Sequence, residues 1–134
     1  VASAVVVLAV ASGAICGAAE EAPDESKDFA GAFVVRTHCV RCHGAEGRGD
    51  GPAAENLRYQ PPDLRLIARR NGGRFPEERI RRIVDGRKPV KGFGGSDMPI
   101  FGDVFRNAAA GYDQDLPELQ VRAVVSYLRT LQIP

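Results

Sequence analysis

The chain has no tryptophan, one methionine (Met98), two histidines (His38 and His43) and three cysteines. A single methionine leaves one thioether for any chemistry that requires one. A structural zinc site usually needs two separated pairs of N/S ligands, and only one close cysteine pair is present. No glycine run is followed by Lys-Ser or Lys-Thr, so there is no phosphate loop. No stretch alternates apolar and polar residues as a strand would, and no segment repeats. A single all-α domain is the expectation for 134 residues. The formal net charge is +1, so gross charge does not suggest a nucleic-acid partner.

The charge that exists is unevenly spread. Arginines and lysines crowd the segment from Arg58 to Lys91, where Asp63, Glu77, Glu78 and Asp85 are the only acids. This reads as a solvated basic face, with steering of acidic partners as the alternative. Val1 to Ala19 carries no charge; Val5 to Ala11 is apolar, and small residues follow. That matches the apolar and cleavage regions of a secretory signal, although no basic residue precedes them. An uncleaved membrane anchor is the second reading, since ~20 residues span a bilayer. Acylation at Cys16 is a third, in a poor context because Ile15 is bulky. Each reading places the folded part in the periplasm or otherwise outside the cytoplasm. The expected organisation is a leader or anchor over 1–19, an acidic linker over 20–27 and one domain over 28–134.

The chemistry sits in Cys39-Val40-Arg41-Cys42-His43. This C-x-x-C-H run is the haem-attachment pattern. Two thiols one helical turn apart can add to the two vinyl groups of a porphyrin, and the next residue, His43, can give Nε2 to the iron. A thioredoxin-like pair would need a βαβ context, which the helix-like and glycine-rich flanks do not provide. A plain disulfide would leave His43 unexplained. Met98 is the candidate for the second axial position; in a core it would be a space filler, but it precedes Pro99 in a polar, glycine-rich loop. His38 is the other candidate, and its place directly before Cys39 keeps it on the same side as His43.

Cys39 to Gly44, Gly49-Asp50-Gly51-Pro52, Asp97-Met98-Pro99 and Tyr127-Leu128 together resemble bacterial class I cytochromes c. Pro61-Pro62-Asp63-Leu64, the stretch from Arg69 to Pro76, and Val84-Asp85-Gly86-Arg87 resemble one subgroup of them. The resemblance runs from about residue 27 to the C-terminus. It implies the class I cytochrome c fold, all-α, with three to five helices wrapped around one covalently attached haem c. It implies thioether bonds from Cys39 and Cys42, His43 as proximal and Met98 as distal iron ligand, and Pro52 as the proline whose carbonyl orients His43. It also implies that Gly31 marks a close crossing of the first and last helices. Arg58, Tyr59, Arg69 and Arg70 are propionate partners by type only, and none is assigned.

Helical periodicity predicts helices over Asp28 to Val40 with Ser26 as N-cap, Asp63 to Arg70 capped by Asp63, Pro76 to Val84, Asp103 to Ala110 and Pro117 to Leu131. The last would carry a stripe of Leu119, Ala123, Tyr127 and Leu131, broadened by Val121, Val124 and Leu128. The expected function is one-electron transport through a six-coordinate His/Met haem, without enzymatic activity of its own. The expected form is a monomer serving protein redox partners. A subunit of a membrane-associated dehydrogenase or oxidase complex is the alternative, and an open-site haem that binds small ligands is a third reading, opposed by Met98.

Overall fold

Two helices from opposite ends of the chain, α1 (Glu25–His38) and α6 (Leu116–Thr130), pack across one another. Their crossing depends on Gly31. A β-carbon there would lie 2.7 Å from Cβ of Tyr127 and would collide with the carbonyl oxygen of Ala123. A residue without a side chain is what allows two helix backbones to meet this closely. The computed structural model describes residues 25–93, 97–111 and 113–134. The leader or anchor over 1–19, with Cys16, and the start of the acidic linker lie outside the described residues.

α1 begins at Glu25, so Ser26 lies inside it rather than capping it. The helix does not run through to Val40 as periodicity suggested. It breaks at Cys39 and resumes as the short α2 (Val40–His43). The tract after Pro61-Pro62 splits into a 3-10 turn, Leu64–Leu66, and α3 (Ile67–Arg70). Asp63 caps the turn, its carboxylate accepting the Arg65 N–H at 2.9 Å. α4 (Glu77–Asp85) has Pro76 just before it and ends on Gly86 in the left-handed region, φ 71°. α5 (Phe101–Ala108) starts two residues before the expected Asp103. Among the described residues there is no strand, and Val90 and Phe93 make an isolated bridge.

The core joins Val34 and Val35 of α1, Ile80 and Val84 of α4, Phe101 and Phe105 of α5, and Val121, Val124, Val125 and Leu128 of α6. Helix α6 therefore buries a narrower face than the sequence suggested, and Leu119 is 54% exposed. The reason is that α6 packs on α1, α4 and α5 together. The spacing of 121, 124, 125 and 128 faces that junction, while Ala123 and Tyr127 flank it where α1 crosses. Arg81 of α4 ties the helices further, pairing with Glu78 and reaching Glu118 of α6 at 3.4 Å.

The C-terminus is clasped by Gln132. Its Nε2 donates to the carbonyls of Leu64 and Leu128 at 2.9 and 2.7 Å, and its Oε1 accepts the Ala68 N–H at 2.8 Å. One side chain thus holds the end of α6 to the segment that carries α3.

Candidate cofactor cavity

The break at Cys39 concentrates three reactive side chains in a single turn. The N–H groups of Cys42 and His43 donate to the Cys39 carbonyl at 3.1 and 2.8 Å, and Gly44 closes the turn with φ 79°. The glycine-rich loop backs this turn from behind. The Gly51 N–H donates to the Cys42 carbonyl at 3.2 Å and that of Ala53 to Arg41 at 2.9 Å. A β-carbon on Gly51 would sit 2.6 Å from the Val40 carbonyl oxygen, so glycine is required for this support. Cys39 and Cys42 are both unbridged thiols.

Cys39, Cys42 and His43 open into a cavity of about 380 Å³, within the size range of small-molecule sites. Its lining is mostly apolar. α4 contributes Ile80, Ile83 and Val84, α6 contributes Val124 and Leu128, and the loop between α4 and α5 contributes Phe93, Asp97, Met98 and Pro99. Met98 also borders a smaller cavity of about 150 Å³ between that loop and α4. The structure thus brings Cys39, Cys42, His43 and Met98 to one cavity. His38 lines the same cavity and packs edge-on against Phe101 and Phe105, with centroids 6.1 and 5.5 Å away.

The loop bearing Met98 is tied down at several of its described residues. Near its start, Arg79 Nη2 donates to the Lys91 carbonyl at 3.1 Å. Beside Met98, the carboxylate of Asp97 accepts the Arg58 N–H at 2.7 Å. At its end, Gly86 packs under Ile100, and a β-carbon on Gly102 would lie 2.8 Å from the Asp85 carbonyl oxygen. Asp85 is the buried charge of the core region, 8% exposed, and Arg87 meets it with Nε at 2.6 Å.

Burial pulls the His43 pKa below its usual value, and the backbone carbonyl of Pro62 acts in the opposite sense. Nδ1 is buried without a completed hydrogen bond, so the Pro62 carbonyl stands beside the ring as its available acceptor. Burial, with Cys42 adding to it, pushes the Cys39 thiol up to about 11, which keeps it protonated at neutral pH.

Pro52 is not the proline at His43. It is exposed in the turn after Gly51 and does not line the cavity, whereas Pro61 and Pro62 do. The Gly49 N–H donates to the His43 carbonyl at 2.8 Å and the Leu64 N–H to Gly47 at 2.7 Å. These two bonds fold the loop back and bring Pro62 under the imidazole. Pro62 lies in Pro61-Pro62-Asp63-Leu64 and Asp97 in Asp97-Met98-Pro99, yet neither carries a sequence signal that assigns it a partner.

The donor set fits a covalently attached haem. Two free thiols precede an imidazole in one turn, the Pro62 carbonyl stands as acceptor beside its buried Nδ1, and a thioether shares the same apolar cavity. Among the described residues no three His, Cys, Asp or Glu side chains cluster as a metal site, and no helix is long and apolar enough to cross a membrane.

The sequence model of the family described as Cytochrome c matches residues 30–132. No curated protein and no solved structure matches the chain.

Proposed function

The chain belongs to the cytochrome c family, and on that premise we propose that it is a monomeric, extracytoplasmic electron carrier whose haem iron is held by His43 and Met98. Its all-α arrangement is the class I cytochrome c fold, and proteins of the family carry covalently attached haem c and serve electron transfer. When bound, haem supplies the one-electron Fe(III)/Fe(II) couple.

The observation that carries the proposal is the convergence of Cys39, Cys42, His43 and Met98 on one apolar cavity. Cys39 and Cys42 would anchor the group by thioether bonds, so that a small domain retains it. His43 would ligate through Nε2, and its Nδ1 would donate to the Pro62 carbonyl, which fixes the ring and raises its basicity. Met98 would supply the second protein ligand to the iron; a thioether favours a higher potential than a second imidazole. Ile80, Val84, Val124 and Leu128 exclude water and lower the local dielectric. Residues 1–19 would direct export, and the partners would be redox proteins. The chain itself would carry electrons and leave catalysis to its partners.

Absorbance spectra of the oxidised and reduced protein test the reading. The oxidised protein should show the weak long-wavelength Met–Fe(III) band. Met98→Ala should abolish the band and admit carbon monoxide to the reduced protein. An unmodified protein that lacks the band and binds carbon monoxide readily would sink the His/Met assignment.

A further inference from the structure

Asp97 directly precedes Met98, and its carboxylate accepts a hydrogen bond from the backbone N–H of Arg58, 39 residues away in the chain, at 2.7 Å. The bond joins two loops that face the same cavity. Leu57 and Tyr59 line it from one loop, and Asp97 and Met98 from the other. The acceptor is a side chain and the donor is backbone, so the bridge constrains residue 97 and leaves residue 58 free to vary.

The loop needs such a tie. Gly92 precedes Asp97 with φ 77°, and glycine gives a chain the greatest conformational freedom to lose. The bond at Lys91 and the Asp85–Arg87 pair both lie on the α4 side of the loop, while Asp97 secures it at the residue next to the thioether. A carboxylate accepting an N–H is charge-assisted and stronger than a neutral bond.

We propose that Asp97 is a positioning residue for the distal ligand: it holds the Met98 loop closed over the cavity by bridging to the Arg58 amide. The proposal rests on Met98 being that ligand. It goes beyond the donor set in saying what resists displacement of the thioether by an outside ligand.

The test is a titration of the oxidised holoprotein with imidazole, followed through the long-wavelength Met–Fe(III) band. Asp97→Ala should bind imidazole about tenfold more tightly, the effect expected of one lost charge-assisted hydrogen bond. Asp97→Asn retains an acceptor oxygen but loses the charge assistance, and should fall between Asp97→Ala and the unmodified protein. Arg58→Ala retains the backbone donor and should stay near the unmodified protein. Equal imidazole affinity in Asp97→Ala and the unmodified protein overturns the proposal while leaving Met98 ligation intact. So does an Asp97→Asn variant as weakened as Asp97→Ala, because charge and not the accepted bond would then be responsible. An unmodified protein without the band overturns the ligation reading and this proposal with it. Hydrogen exchange of the unmodified holoprotein gives a reading even if Asp97→Ala fails to fold. The Arg58 amide should exchange at least tenfold more slowly than an unstructured amide, and exchange at the unstructured rate overturns the bridge.

Discussion

Gly31 of α1 lies directly against the Ala123 carbonyl of α6, and this contact sets how closely the two terminal helices approach. Replacing Gly31 with Ala has two opposed effects. Helix propensity would gain ~1 kcal/mol. The new β-carbon would meet backbone, which cannot rotate away, and overpacking of this kind costs ~1–3 kcal/mol, occasionally more. The clash should win. Gly31→Ala is expected to lower the stability of the holoprotein by up to ~2 kcal/mol in urea unfolding. Its haem spectrum should not change, because Gly31 does not line the cavity.

Asp85, Arg87 and Gly102 form the second close approach. The Asp85 side chain is 11% exposed and that of Arg87 35%. Asp85→Ala would leave a guanidinium that can turn toward water, so the loss should fall below the ~3–5 kcal/mol of a fully buried pair, at ~1–3 kcal/mol. A β-carbon on Gly102 would press on the same pair, 2.5 Å from Arg87 Nε. Gly102→Ala and Asp85→Ala should therefore be non-additive in a double-mutant cycle, with the double variant losing less than the sum. Strict additivity in urea unfolding would mean that the two residues do not share this contact.

Gln132 should matter more than a residue near a chain end normally does. Three of its hydrogen bonds go to the backbone of Leu64, Ala68 and Leu128. Gln132→Ala would strand a part-buried N–H and two carbonyls, at ~1–3 kcal/mol. Gln132→Glu keeps the acceptor for Ala68 and loses both donors, so it should remain destabilised while the Ala68 amide keeps its protection. Amide exchange at Ala68 separates the two variants.

The parts of the site that were legible in the sequence are local ones. Cys39, Cys42 and His43 share a turn, so their spacing alone brings them together, whereas the α1–α6 crossing at Gly31 was legible only through the resemblance to class I cytochromes c and not from the helical pattern. The choice between Pro52 and Pro62 was not local. It depends on how the loop from Gly44 to Pro62 folds back, through bonds from Gly49 to His43 and from Leu64 to Gly47, and two prolines in one loop carry no sign of which returns. Leu119 was misplaced for a similar reason. Periodicity locates an apolar stripe, but the position of α1, α4 and α5 decides which part of it is covered. The Asp97–Arg58 bond has a backbone donor, so no residue type at position 58 could have announced it.

Acid should weaken the fold partly through Asp63. The Arg65 guanidinium, hydrogen-bonded to its carboxylate, holds the Asp63 pKa below the usual carboxylate value. A depressed folded-state pKa means that the unfolded chain binds protons first as pH falls. The contribution is therefore complete above the unfolded value, about 3.9, and is lost as pH falls through the lower folded value. Asp63→Asn isolates this charge effect, because Asn can still cap the Leu64–Leu66 turn. Glu46 and Glu78 are also held low by arginines, so the acid slope of the unmodified protein is shared, but they cancel in the difference between the two proteins. That difference, measured by urea unfolding at a series of pH values, should be constant from pH about 7 to about 5 and shrink below about 4. A difference that grows on acidification would have the wrong sign for a carboxylate stabilised by Arg65.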